Sequence, residues 1–211
     1  MNKKKTIIAA IVLLLVAVVG GAIAYFTDTD TKTNTFTIGN VDITLTEPSW
    51  VTTDSNNNNV PDAAENVVPG QSIPKDPVIT NVSTTNPAYV FAKVEVPCTT
   101  ATNPATPVEI FDYTPVNSAW TELSSAALAC TSGGTATHVY YYGTNNTLST
   151  LAANNTAAPA LFTAITVSSN VTGATSEGLT GNKNVVVTGY GIQTNGLGSD
   201  VTPATVWSNF S

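Results

Sequence analysis

Hydrophobic and polar positions alternate in short runs along this chain, and clusters of Asn, Gly, Pro and Ser set the runs apart. That is the pattern of an all-β sandwich or barrel. The candidate strands are Thr35 to Thr46, Pro77 to Val82, Ala88 to Val96, Thr137 to Tyr142, Ala160 to Val167 and Asn184 to Gln193. In the third of these, Tyr89, Phe91, Lys93 and Glu95 alternate with Val90, Ala92, Val94 and Val96. One face is therefore aliphatic and the other mixed, which predicts a strand with one clearly buried face. Helix is scarce. From Thr202 to Phe210 the sequence offers Thr202 as a cap and Pro203 at the first helical position, with Trp207 and Phe210 as anchors on the sheet. A weaker helix is expected around Ser118 to Leu128. Pro97 to Pro115 reads as an excursion on the sandwich, because its Pro and Thr content disfavours core strands. No linker or internal repeat divides residues 35–211, so one domain of about 175 residues is the economical reading.

The first two dozen residues follow a different pattern. Lys3, Lys4 and Lys5 precede an unbroken apolar stretch from Ile7 to Val19, followed by Gly20, Gly21, Ala22, Ile23 and Ala24. This is the layout of a secretory signal peptide over residues 1–24, with cleavage between Ala24 and Tyr25. A permanent membrane anchor is the competing reading, since Ile7 to Phe26 is about long enough to span hydrocarbon. Either reading exports the remainder of the chain.

Charge and composition sharpen the picture. The net charge of the 211 residues is −7, and all seven basic residues are lysines. Removing the first 24 residues leaves four lysines against 14 acids, a net of −10. A nucleic-acid partner is excluded on these grounds. The 36 Thr and 21 Asn make the exported body poor in ionic chemistry. Cys98 and Cys130 suit an oxidising exterior; they read either as a disulfide, within the chain or between subunits, or as two free thiols.

Thr27, Thr29, Thr31, Thr33, Thr35 and Thr37 occupy every second position just after the expected cleavage point. In an extended conformation their hydroxyls share one face, with Asp28, Asp30, Lys32, Asn34, Phe36 and Ile38 on the other. Residues 27–34 carry too little apolar area to hold themselves in a core, so this is a strand in need of a partner sheet. The alternative is that residues 35–46 form the body's own first strand behind a loose tail.

The run from Ala24 to Ile43 resembles the processed N-terminus of the TasA/camelysin family of secreted biofilm-matrix proteins. So do Val68 to Pro77, Asn81, Ala88 to Val90, the Tyr140 to Tyr142 run, Leu161 with Phe162, and Gly189 to Gln193 followed by Trp207. The resemblance implies a jelly-roll-like antiparallel β-sandwich, processing by a dedicated signal peptidase, and homopolymeric assembly into extracellular fibres. It further implies that residues 25–38 are donated as an extra strand to the next subunit, with Phe36 and Ile38 as pocket-fillers beside Thr27, Thr29, Thr31 and Thr33. A matrix polysaccharide or an accessory anchor protein are the further partners such a role suggests. The two cysteines and the inserts around 97–135 depart from the family pattern. The camelysin branch is classed as a metallopeptidase, but this sequence has one histidine, His138, no HExxH and no His/Cys cluster.

The best local motif for chemistry is Asp54 to Glu65. Acceptor side chains fall at positions 1, 3, 5 and 9 (Asp54, Asn56, Asn58, Asp62), the Val60 carbonyl at 7, and Glu65 at 12. This is the spacing of a calcium loop, with Asn59 where Gly is expected. Asn tolerates the left-handed conformation, and the Asn ligands predict weak, extracellular-grade affinity. A plain Asn-rich turn is the other reading, because no flanking helices are evident. Tyr140 to Tyr142 is a candidate sugar-stacking run, set against ordinary strand packing. Five N-x-[ST] sequons (Asn81, Asn145, Asn154, Asn170, Asn209) carry little weight where Asn and Thr are so frequent.

Overall fold

The structure is a computed structural model that describes residues 27–30, 35–38, 41–100, 106–113, 115–171 and 183–210, with backbone alone at 27–30 and 35–38. The signal segment, Ala24, Tyr25, Thr31 and Thr33 lie outside the described residues.

Among these residues the chain is an all-β sandwich. Its larger layer contains β1 (Thr27–Asp30), β2 (Thr35–Ile38), β6 (Ala88–Pro97), β8 (Trp120–Glu122), β9 (Thr135–Thr144), β10 (Thr147–Leu148) and β13 (Val186–Gln193). The order across it is β1-β2-β13-β6-β9-β10, with β8 also on β9. The last long strand thus lies between the N-terminal strand and β6, the interleaving expected of a jelly-roll-like fold. Two three-stranded sheets cover one face. The first joins β3 (Ile43–Thr46), β5 (Val78–Asn81) and β11 (Thr156–Ala157); the second joins β4 (Ser72–Pro74), β7 (Phe111–Asp112) and β12 (Ala164–Val167).

The alternation in β6 explains how the layers meet. Ala88, Val90, Ala92, Val94 and Val96 enter the core with Ile43, Ile73, Ile79 and Ile165 from the small sheets. Its other face is not left open, since Phe91 is fully buried in a second cluster with Val139, Tyr141, Tyr190 and Val206. The cover on that side is α1 (Pro203–Trp207), whose Thr202 side chain accepts from the Thr205 N–H in a capping box, with Pro203 in the first turn. Trp207 and Phe210 pack on Phe91 with ring centroids 5.5 and 5.8 Å away. In β13 the inward positions are glycines because the sheets approach closely there. A Cβ on Gly191 would meet Ile43 Cγ2 at 2.9 Å.

Two expectations need correction. Thr35 to Thr46 is not one strand: β2 belongs to the large sheet and β3 to a small one, so the chain changes layers between Ile38 and Ile43. The expected helix at Ser118 to Leu128 is instead β8 followed by a 3-10 turn at Ser124–Ala126. There the buried indole of Trp120 donates to the Pro159 carbonyl (2.9 Å) and β8 pairs with β9, so tertiary pairing overrides a weak local helix preference. The long strand expectations hold with shifted ends. Only Ala160 to Val167 shortens substantially, to Ala164–Val167, with Leu161 and Phe162 buried ahead of it.

Candidate functional site

Three groups of residues singled out above are placed by the fold: the N-terminal segment, the Asn-rich loop, and the surroundings of His138.

Residues 27–38 are folded back on themselves. β1 and β2 form an antiparallel hairpin pairing Thr27 with Ile38, Asp28 with Thr37, Thr29 with Phe36 and Asp30 with Thr35. The threonines therefore do not run along one uninterrupted strand. β2 in turn lies on β13 in parallel, with Phe36 opposite Tyr190, Thr37 opposite Gly191 and Ile38 opposite Ile192. All other strand pairings among the described residues are antiparallel. A parallel edge strand needs no tight turn to its neighbour, so its place on the ladder is set by hydrogen bonds and register rather than by connectivity.

The loop from Asp54 to Glu65 closes through its own side chains. The Asp54 carboxylate accepts from the backbone N–H groups of Asn58 (3.2 Å) and Asn59 (2.8 Å). Asn56 and Asn58 both donate their amides to Glu65 Oε1, at 2.7 and 2.5 Å, while their carbonyls accept from the N–H groups of Asn58 and Val60. Asp54, Asn56, Asn58 and Glu65 are thus brought together. Asp62 is engaged differently: its carboxylate accepts from the Ser55 hydroxyl and N–H, and those bonds hold it below the usual carboxylate range. Asn59 adopts φ +64°, the left-handed geometry that a calcium loop requires at that position. The oxygen-rich, hard donor set and this turn fit a calcium ion, although Asp62 would have to leave Ser55 to join it. The loop also forms one wall of a groove of about 680 Å³, opposite Ile73, Phe111 and Val167 and beside Trp50 and Lys75.

His138 lies on β9 with both ring nitrogens in use. Nε2 meets Glu109 Oε1 at 2.9 Å and Nδ1 meets Glu122 Oε1 at 2.8 Å. The two carboxylates raise its pKa to about 9, Glu109 contributing most and burial opposing. It is therefore a charged clamp at neutral pH. In that form it has no lone pair for a metal, and the two glutamates sit at opposite nitrogens rather than converging. Among the described residues no group of three His, Cys, Asp or Glu side chains is placed to hold a metal ion. Sequence reasoning identified the histidine but missed Glu109 and Glu122, which lie 29 and 16 residues away without any periodic signal.

The tyrosine run is occupied by packing. Tyr140 and Tyr113 exchange a hydroxyl hydrogen bond of 3.0 Å, and burial pushes both phenols up, Tyr140 to about 12. The Tyr141 hydroxyl accepts from the Asn146 N–H at 3.0 Å, and Tyr142 packs on Trp120 with centroids 5.6 Å apart. Cys98 and Cys130 form a disulfide within the chain.

These features define an all-β sandwich with a chain-end edge strand and a covalently stapled excursion. Residues 1–105 match the family described as camelysin metallo-endopeptidase, and the chain belongs to that family. No curated protein and no solved structure matches it. Among the described residues no helix is long and apolar enough to cross a membrane.

Proposed function

We propose that this chain is a secreted structural subunit that polymerises into extracellular fibres, each copy donating its N-terminal strand to the sheet of the next. The observation that supports this best is the parallel seat of β2 on β13. A strand held there by a backbone ladder can be replaced by the same strand of another copy, and a head-to-tail exchange that does not close makes a filament. The body's low charge suits close lateral packing, because few ionic groups need desolvation. Export rests on Lys3 to Lys5 and the apolar run after them. Calcium at Asp54 to Glu65 would stiffen the loop beside the groove at millimolar concentrations.

The test is negative-stain microscopy of the mature protein from Tyr25, beside a version lacking residues 25–38. Fibres of constant width are expected from the first and none from the second; fibres from the shortened chain would overturn strand donation. A second reading, surface metallo-endopeptidase, has the family's description behind it. Chelator-sensitive casein cleavage by the pure protein would favour it.

A further inference from the structure

The edge of the sheet that receives β2 is not bare. Tyr190 and Ile192, the β13 residues in register with Phe36 and Ile38, point into the cluster capped by the C-terminal helix. Tyr190 touches Trp207 edge-on with ring centroids 4.9 Å apart, and Phe210 at 5.2 Å; Trp207 and Phe210 are themselves 5.6 Å apart. Both rings also cover Phe91 on β6, so α1 holds a continuous aromatic cap over β6 and β13 up to the strand that β2 joins. Across a parallel pair, residues in register share a face. The register therefore sets Phe36 beside Tyr190 at the margin of this cap, whereas Thr37 is set beside Gly191 on the opposite face.

We infer that the α1 cap is the element that selects the strand seated on β13: Trp207 and Phe210, held over Tyr190, require a large apolar residue at the Phe36 position. This rests on the strand-donation reading where the occupant is the β2 segment of a second copy, and it applies equally to the chain's own β2. Backbone bonds along β13 would accept almost any extended segment, and this chain is full of Thr-rich extended segments. An aromatic contact at one register position discriminates among them and fixes a two-residue phase.

The test is a substitution cycle on the full mature chain: Phe36→Ala, Trp207→Ala, both together, and Trp207→Phe. Protein remaining in the supernatant after fibres are sedimented gives one readout, and amide exchange at residues 36–38 in the soluble monomer gives the other. Each Ala substitution should raise the supernatant concentration about tenfold, the size of one aromatic pair. The double substitution should be little worse than either, and Trp207→Phe should recover most of the loss. Additive effects, or a silent Trp207→Ala, would overturn the inference. If Trp207→Ala does not fold, Phe36→Thr against Trp207→Phe runs the same cycle on a smaller scale. Should the unaltered chain make no fibres, strand donation fails and exchange in the monomer decides about the cap alone. Faster exchange at 36–38 on altering the Trp207 ring upholds it, and unchanged exchange refutes it.

Discussion

The excursion between β6 and β9 and the hairpin of β1 and β2 are both additions to one seven-stranded sheet, yet they are fastened in opposite ways. The excursion is tied at its ends by the Cys98–Cys130 disulfide and in its middle by His138, which grips Glu109 and Glu122 at once. The hairpin joins the sheet at three register pairs along β13. For scale, β6 shares eight register pairs with the same strand. A segment fixed by covalent and charge-assisted links stays with its own copy, while one seated on an edge ladder can be exchanged. The difference assigns permanence to the insert and mobility between copies to the N-terminus, which is the division of labour that a strand-donating subunit needs.

The largest way to break this contrast is to remove the staple. Cys98 and Cys130 are 32 residues apart, and a loop of that size restrains the unfolded chain by about 3–4 kcal/mol. Replacing both by Ser should lower the thermal midpoint of the mature protein markedly. Amide exchange at β13 beside β2 should remain as it was. Equal loosening of both regions would show that the excursion and the hairpin are one cooperative unit.

The His138 clamp gives a second, reversible version of the same test. Its folded pKa is raised from 6.5 to about 9, so its contribution is fully present below pH 6.5 and is lost as pH rises through 9. Complete loss would cost at most about 3 kcal/mol, less after screening at the more exposed Glu122. The buried Tyr113 and Tyr140 phenols add to the loss only above pH 10, since burial favours their neutral forms. Thermal midpoints should therefore fall between pH 6.5 and 9, and His138→Gln should start lower and lose that slope. A variant retaining the full slope would place the titration elsewhere.

From the hairpin's side, Thr202→Ala removes the cap of α1 at a cost of about 1 kcal/mol. Exchange should rise at β2 and around Trp207, with the excursion unaffected. Protection unchanged at β2 would mean that the helix and the edge strand are independent.

What could be read beforehand follows from where the information sits. The β6 alternation, the Thr202 cap and Pro203 are local patterns, and each appears in the fold as expected. The β1–β2 reversal was not legible, because Thr and Asp at alternate positions look alike whether the segment is straight or folded. Nor was the His138 clamp, whose carboxylates arrive from β8 and from a bridge at Glu109. The Asn excess was seen but its use was not. The seven non-glycine residues found at positive φ among the described residues are all Asn: 57, 59, 66, 145, 146, 154 and 155. Asn145 and Asn146 make the two-residue turn between β9 and β10. A chain with 14 glycines thus relies on Asn for much of its left-handed backbone, and the sequons at Asn145 and Asn154 are turns of this kind.

That use of Asn yields the smallest expected effect, in a loop held by neither a disulfide nor a sheet ladder. Asn59 stands at φ +64° and donates its backbone N–H to Asp54 Oδ2. Glycine accepts that conformation without strain but gives the unfolded chain more freedom, so the two terms oppose each other and Asn59→Gly should change stability by no more than about 0.5 kcal/mol. If the loop is a calcium site, the same substitution should keep the heat of calcium binding in a titration at millimolar ion. Asp54→Ala should abolish it, because that carboxylate both orders the turn and heads the ligand set. Equal heats in the two variants would assign any calcium binding to another part of the molecule, leaving the loop as a turn closed by Asn and Glu65 alone.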